Sequence, residues 1–333
     1  MVRQIRNLVF EGGGIWGISY LGVLDYLYQN NWMGSVSRVA GTSAGAITAC
    51  ITSFNLPYES MKDIVSGLDY KKVLQRSDTD AVKWIPEDVR KLIDDLFGDI
   101  NCLYRLVNYY GWFSTDYFYA WIQEAIAKQF DGSKKKPPYT FSDFQNTSIH
   151  KQQIPFFDLY IIGTNLSMKT WEVYSYETTP HMEVAEAVRI SMSIPLIFES
   201  VRNAAKDEYG NSYTNILCDG GVMNNYPLGL FDAQGYNTYN YQGINLDTLG
   251  VRFLGNLVHT SITNLLEYIE SLLHISTYIQ QENYESNPLN KERSIVIDPS
   301  NVNPLDFNIS TGDERYQFLY NQGFKAASAF FNP

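Results

Sequence analysis

The sequence predicts an α/β protein with a mostly parallel β-sheet, and three observations lead to this prediction. Two short apolar segments, residues 5–10 and 37–40, are each followed by a glycine-containing turn and a segment with helical spacing of apolar residues. Further apolar segments of strand length alternate with helical ones along the chain. The 333 residues are 45% hydrophobic, enough for a large core. Strands that alternate with helices favour a parallel sheet covered by helices on both faces.

The first half of the chain opens with two strand-turn-helix units. Their predicted strands are residues 5–10 and 37–40, their turns 12–14 and 41–45, and their helices 17–29 and 46–54. Residues 56–130 are expected to be mainly helical, as an insertion into the sheet. An aromatic stretch within them, 109–122, is interpreted as a packed helical layer, with a lid as the alternative.

The second half begins with a solvated loop, residues 131–140, which contains glycine, three lysines and two prolines. The predicted strands that follow are 156–164, 171–176, 216–219, 248–254 and 294–298. The predicted helices are 182–191, 261–282 and 313–331. Because no repeat and no linker interrupts this series, residues 5–329 are interpreted as a single domain.

Charge and composition narrow the partners. A net charge of −11 repels nucleic acid, so no nucleic-acid partner is expected. Three cysteines without metal-ligand spacing favour reduced core thiols, and no metal or other cofactor is predicted. The first residues lack the apolar segment of a signal peptide, and no apolar run could span a membrane. We therefore expect a soluble, cytoplasmic protein, with peripheral membrane contact and export as an effector left open.

The pentapeptide Gly41-Thr42-Ser43-Ala44-Gly45 has the form G-x-S-x-G and lies between a predicted strand and a predicted helix. A nucleophile elbow needs small residues beside its serine so that a strained turn can present the hydroxyl above the sheet edge. The amide-rich start of the following helix favours negative charge there. The context thus indicates that Ser43 is a nucleophile, the alternative being an ordinary strand-helix turn.

A serine hydroxyl needs a base that takes its proton, and Asp219 is the preferred candidate. It ends an apolar segment and enters the turn Gly220-Gly221, where a parallel sheet would deliver it to the same edge as Ser43. A partly desolvated carboxylate can act as a base. The four histidines lie in polar loops or near a helix and are interpreted as structural or exposed: His150, His181, His259 and His274.

The glycine-rich stretch Gly12-Gly13-Gly14 continues to Gly17 in the spacing G-x-G-x-x-G. A dinucleotide site would need an acidic residue at the end of the second strand, and residues 31–40 contain none. The alternative is that the amides of Gly12, Gly13 and Gly14 form an oxyanion hole for an ester attacked by Ser43. This second interpretation explains more of the sequence.

In the order and context of these three motifs the chain resembles the patatin-like phospholipases. The segments 187–201 and 220–228, and two segments near the C-terminus, are similar to further blocks of the family. The resemblance implies a three-layer α/β/α fold and a Ser43-Asp219 dyad without histidine. It also implies acyl-enzyme hydrolysis of phospholipids or related acyl-ester lipids; an activating protein partner is not identified.

One position departs from the family pattern. Many relatives carry arginine or lysine before the last glycine of the glycine-rich motif, whereas this chain has Trp16. The help that such a basic residue would give in binding the headgroup or the oxyanion is then missing in this chain or is supplied by another residue, for instance Arg189. Two other functions stay open: a histidine-dependent hydrolase using His259 or His274, and a catalytically silent lipid-binding or effector module.

Overall fold

The computed structural model describes residues 4–74, 100–206, 209–236, 240–255, 259, 261–262 and 265–332. Its strands are β1 (Asn7–Phe10), β2 (Arg38–Thr42), β3 (Gly111–Phe113), β4 (Asp158–Asn165), β5 (Thr170–Tyr174), β6 (Leu196–Phe198), β7 (Val201–Lys206), β8 (Ser212–Asp219), β9 (Asn240–Tyr241), β10 (Ile244–Asn245), β11 (Thr248–Phe253) and β12 (Ser294–Ile297).

The α-helices of the described residues follow the predicted order. They are α1 (Ser19–Gln29), α2 (Ala44–Ser53), α3 (Tyr58–Ser66), α4 (Tyr70–Val73), α5 (Ile100–Tyr109), α6 (Asp116–Ala127), α7 (Phe141–Phe144), α8 (Val184–Met192), α9 (Leu265–Glu285), α10 (Pro288–Glu292) and α11 (Glu314–Phe331). Short 3-10 helices at Gly14–Ile18, Gly220–Val222 and Leu228–Asp232 border the elements described below. Part of the predicted helical insertion, 75–99, lies outside the described residues.

The central sheet has eight strands in the order β12-β11-β1-β2-β4-β8-β7, with β5 also paired to β4. The five strands from β12 to β4 are parallel, whereas β5, β7 and β8 pair antiparallel. The predicted α/β class with a mostly parallel sheet is therefore confirmed. The prediction of a parallel sheet throughout the Asp219 region is wrong, because β8 runs in the opposite direction to β4.

Strand β4 brings the ends of β2 and β8 together. Ile161 and Ile162 pair with both β2 and β5, so these two strands lie on opposite edges of β4. Gly163 to Asn165 pair with β5 and β8, which puts β8 on the β2 edge. Thr42 is opposite Ile162 and Asp219 is opposite Gly163. The two strands thus meet head-on at neighbouring positions of β4.

The two faces of the sheet carry different layers. Side chains that alternate along the strands separate into two buried clusters, with Leu8 and Phe10 in one and Val9 in the other. The larger cluster includes residues from α1, α2, α8 and α11. The smaller one is covered by residues 226–231 and by Tyr284 of α9. The sheet is therefore the middle of three layers.

The aromatic stretch 109–122 contains the end of α5, strand β3 and half of α6. Phe118 and Ile122 are fully buried in the main core. These contacts favour the packed layer over the lid. Among the described residues, no helix combines the length and apolar composition that crossing a bilayer requires.

Candidate active site

Ser43 lies in a strained turn between β2 and α2. Its φ of 55° and ψ of −123° are unusual for a residue with a side chain, and Ser43 is the residue that precedes α2. The flanking glycines are sterically required: a Cβ on Gly41 would be 2.1 Å from Gly45 O, and one on Gly45 would be 2.3 Å from Phe10 O. The strand-turn-helix context predicted for this pentapeptide is therefore present.

Ser191, at the end of α8, connects this turn to β4 through two hydrogen bonds. The Ser43 N–H donates to Ser191 Oγ at 2.9 Å, and Ser191 Oγ donates to Ile162 O at 2.6 Å. Ser191 has no exposure. No local sequence pattern indicated this role, although Ser191 lies in the segment 187–201 that carries part of the family resemblance. We assign it as a residue that positions Ser43.

Asp219 reaches the elbow from the opposite direction. Its N–H donates to Ser193 O at 2.9 Å, and its Oδ1 accepts from the Gly221 N–H at 2.7 Å. Gly220 leaves room for the close approach to β4, because a Cβ there would be 2.5 Å from Ile162 O. The end of β8 and the turn at Gly220-Gly221 together fix the orientation of the Asp219 carboxylate.

The free oxygen of that carboxylate, Asp219 Oδ2, is buried and has no hydrogen-bond partner among the described residues. Burial raises the pKa of Asp219 from its ordinary 3.8 to about 7, against smaller opposing effects of the Ser43 hydroxyl and the Gly221 N–H. The Ser43 hydroxyl is thus near enough to lower the pKa of the carboxyl group, although no hydrogen bond between the two is formed in this conformation. Such loose geometry is common in serine sites without substrate.

The glycine loop that follows β1 runs beside Ser43. A Cβ on Gly12 would be 3.1 Å from Ser43 Cβ, and one on Gly17 would be 3.0 Å from Ala44 Cβ. Gly14 has a φ of +54°, and a Cβ there would be 2.2 Å from Pro304 O. The motif is thus needed for close packing of the loop against the elbow.

The three amides predicted for the oxyanion hole differ in availability. The Gly12 N–H already donates to Asn225 O at 3.0 Å, which is not what an oxyanion donor requires. For the amides of Gly13 and Gly14, no acceptor is found within the described ranges. Of the three amides predicted for the oxyanion hole, those of Gly13 and Gly14 are therefore free to donate in this conformation, and that of Gly12 is not.

Glu11 is a further polar residue that the sequence did not single out. It is 1% exposed and accepts from Phe253 N at 2.7 Å, Gln281 Nε2 at 3.1 Å and Asn225 Nδ2 at 3.3 Å. Burial raises its pKa from 4.5 to about 7. Its contacts join the glycine loop to β11, to α9 and to the segment after Asp219. Only its position beside the glycines could have suggested this role.

A cavity of about 630 Å³ opens above Ser43 and Asp219, within the usual range for ligand sites. The glycine loop, α9 and residues 299–305 line it. Trp16 is half-buried in its wall, where its Nε1 donates to Val302 O at 2.7 Å and its ring lies 5.2 Å from that of Phe253. Trp16 is therefore part of the cavity wall.

The other candidates take different places. Arg189 lies outside the cavity lining and donates to Thr115 Oγ1 and Glu199 Oε1, at 2.7 and 3.1 Å. His274 lines the cavity with its ring edge-on to Trp16, and partial burial lowers its pKa. His274 as a whole remains exposed to solvent.

None of the histidines that the structure describes forms a hydrogen bond with Ser43 or Asp219; His150 is bonded to the backbone oxygens of Ile154 and Asp143. A search of the described residues finds no group of three metal-ligating side chains that could hold an ion. Cys50 and Cys218 are buried free thiols.

A serine elbow in an α/β sheet, facing a buried carboxylate and a glycine loop, defines the class of α/β proteins with a nucleophile-elbow serine. The chain belongs to the patatin-like phospholipase family, whose model matches residues 8–232. Since that match ends before β11, the assignment of residues 5–329 to one domain stays a prediction.

Two viral proteins are among the relatives. The chain is 26% identical over 325 residues to the uncharacterized protein R571 of Acanthamoeba polyphaga mimivirus, covering 95% of this chain and 90% of that protein. It is 27% identical over 232 residues to the probable lipid hydrolase 463L of Invertebrate iridescent virus 6, covering 68% of this chain and 63% of that protein.

Among solved structures, VipD from Legionella pneumophila matches 99% of this chain and 67% of its own, with a TM-score of 0.55 and 18% identity. This likeness confirms the fold expected from the resemblance. Together with the family match, the relatives support a lipolytic hydrolase.

Proposed function

We propose that the protein is a serine hydrolase that cleaves the carboxylic ester bonds of lipids, with Ser43 as nucleophile and Asp219 as general base. The observation that carries this proposal is the buried, unpartnered Oδ2 of Asp219 beside a serine held at a strained elbow. A buried carboxylate without a partner is costly, and such groups are typical of catalytic sites.

The reaction follows from these positions. Ser43 Oγ attacks the ester carbonyl while Asp219 Oδ2 accepts the hydroxyl proton, and the amides of Gly13 and Gly14 stabilise the oxyanion. Collapse of the intermediate breaks the ester bond, and Asp219 returns the proton to the leaving alcohol. Water, deprotonated by the same carboxylate, then releases the fatty acid from the acyl-enzyme.

The surface beside the cavity supports a lipid substrate. Tyr268, Leu272, Ile275 and Ile279 follow one face of α9 at intervals of three and four residues, and each is about half exposed. Ile275 also lines the cavity, so this apolar face is continuous with the route to Ser43. Contact of this face with a lipid surface would bring an acyl chain to the site without crossing water.

The experiment is acyl release from a mixed lipid extract by the wild type and Ser43→Ala, followed by mass spectrometry. We expect the variant to lose several orders of magnitude in rate while remaining folded, because the nucleophile makes no hydrogen bond through its hydroxyl that the fold needs. A fluorophosphonate probe should label Ser43 only. Equal acyl release by the variant would contradict the assignment, and an unlabelled, inactive wild type would favour a catalytically silent lipid-binding module.

A further inference from the structure

The charged groups around the cavity are of one sign. Among its described lining residues the ionisable side chains besides His274 and Tyr278 are the carboxylates of Glu11, Asp219 and Glu267, and none is lysine or arginine. Trp16, which precedes the last glycine of the glycine-rich motif, contributes its indole to the wall. Among the described lining residues, no lysine or arginine side chain is therefore available to a bound anion.

The sequence around the opening has the same character. Residues 253–290, which contain α9, include four glutamates and no lysine or arginine, and residues 299–305 contain no charged side chain. The nearest arginine in sequence, Arg252, is 8% exposed and forms an ion pair with Glu285 at 2.8 Å. Arg189, the other candidate, is committed to Glu199.

His274 does not change this balance. Partial burial lowers the pKa of His274 below its ordinary 6.5, which favours the neutral imidazole at pH 7. The His274 ring lies edge-on to the ring of Trp16, with 6.3 Å between the two centroids. Arg252 does not line the cavity, although its charge acts on Glu11. Beside Ser43 the positive potential comes from the free amides of the glycine loop and the start of α2, which the oxyanion itself requires.

A phospholipid carries its phosphate on the same glycerol as the scissile ester, only a few bonds away. Binding that ester at Ser43 would bring the phosphate into or beside the cavity, where it would lose water and lie near carboxyl groups, with no lysine or arginine among the described lining residues to pair with it. An uncharged glyceride meets none of these costs.

We propose that the site, if it is the lipid hydrolase proposed above, selects uncharged acyl esters such as acylglycerols over anionic phospholipids. The reaction is hydrolysis: water adds across the ester bond, giving a fatty acid and an acylglycerol with one chain fewer. Specificity thus arises because the described lining residues include no lysine or arginine to bind a phosphate, and because Trp16 makes the wall apolar.

The test compares dioleoylglycerol with dioleoyl-phosphatidylglycerol, which has the same acyl chains, each at low mole fraction in the same non-ionic detergent micelles. We expect Ser43-dependent release of oleate to be at least about tenfold faster from the glyceride at equal concentration. An equal or faster rate on the phospholipid overturns the inference while leaving the hydrolase intact. If neither ester is cleaved in a Ser43-dependent way, the proposed function falls and the inference with it.

A lysine introduced at the cavity wall tests whether the lack of a cationic side chain there causes the selectivity. Ile275→Lys adds a positive charge at the cavity wall from an exposed helix position, and Ile154→Lys makes the same change at an exposed position outside the cavity lining. We expect Ile275→Lys to raise the phospholipid-to-glyceride rate ratio about fivefold and Ile154→Lys to leave it unchanged. Equal shifts in both variants would make net protein charge the cause and overturn the role of the cavity.

Discussion

The raised pKa of Asp219 predicts that this residue destabilises the fold at alkaline pH. Its pKa is about 7 in the folded protein and 3.8 in an ordinary environment. Between these values the folded state binds more protons than the unfolded state, so the free energy of unfolding falls as pH rises. Each pKa unit corresponds to about 1.4 kcal/mol, so from pH 5 to pH 8 the loss due to Asp219 is about 3 kcal/mol.

Asp219→Asn removes this titration while keeping nearly the same shape. The unfolding free energy of the variant minus that of the wild type should therefore grow by about 3 kcal/mol from pH 5 to pH 8, since other titrating groups contribute equally to both proteins. Urea unfolding at the two pH values measures the difference. The same variant should lose acyl release at every pH, because an amide cannot take the Ser43 proton.

Ser43→Ala is the matched control for this measurement. It removes a hydroxyl that lowers the pKa of Asp219, so it should retain a pH-dependent loss at least as large as that of the wild type. In the wild type, acyl release should rise with pH and level off above about 7, as the base ionises. A stability difference between Asp219→Asn and wild type that does not change with pH would refute the reasoning.

Three other predictions concern the support of the site. Gly45→Ala should destabilise the protein by about 3 kcal/mol or more in urea unfolding, because its Cβ would meet Phe10 O, whereas Gly34→Ala, with open space around it, should be tolerated. Ser191→Ala should cost about 1–3 kcal/mol of unfolding free energy, since the Ser43 amide loses its hydrogen-bond acceptor. The same variant should lower kcat more than it raises KM, and a change in KM alone would argue against a role of Ser191 in positioning Ser43. His274→Ala should retain kcat, and a loss of about 10²-fold or more would revive a histidine base.

The local parts of the site were readable in the sequence because each depends on its own short segment. Gly41, Ser43 and Gly45 specify a turn that only small residues can form, and the apolar segments before them specify the buried strands. The strand and helix bounds differ from the predicted ones by a few residues, as for α9, predicted from 261 and observed from Leu265.

The long-range parts were not readable because they depend on pairing. The direction of β8 is set by its register with β4, and β7, which the sequence analysis did not predict, completes that antiparallel part of the sheet. The acceptor of the Gly12 N–H is the backbone oxygen of Asn225, a residue far along the chain. Glu11 and Ser191 likewise take their roles from partners on other elements, which no local pattern encodes.

The head-on meeting of β2 and β8 has a consequence for how the chain becomes active during synthesis. The ribosome releases Ser43 and its elbow early, but the carboxylate arrives only with β8, and the glycine loop is held by Phe253, Gln281 and Pro304, which emerge later still. The proposed hydrolytic centre therefore has no complete precursor in a shorter nascent chain. A partly made polypeptide would carry Ser43 without Asp219 and without the contacts that support the glycine loop, so the proposed activity requires nearly all of the described elements to be folded.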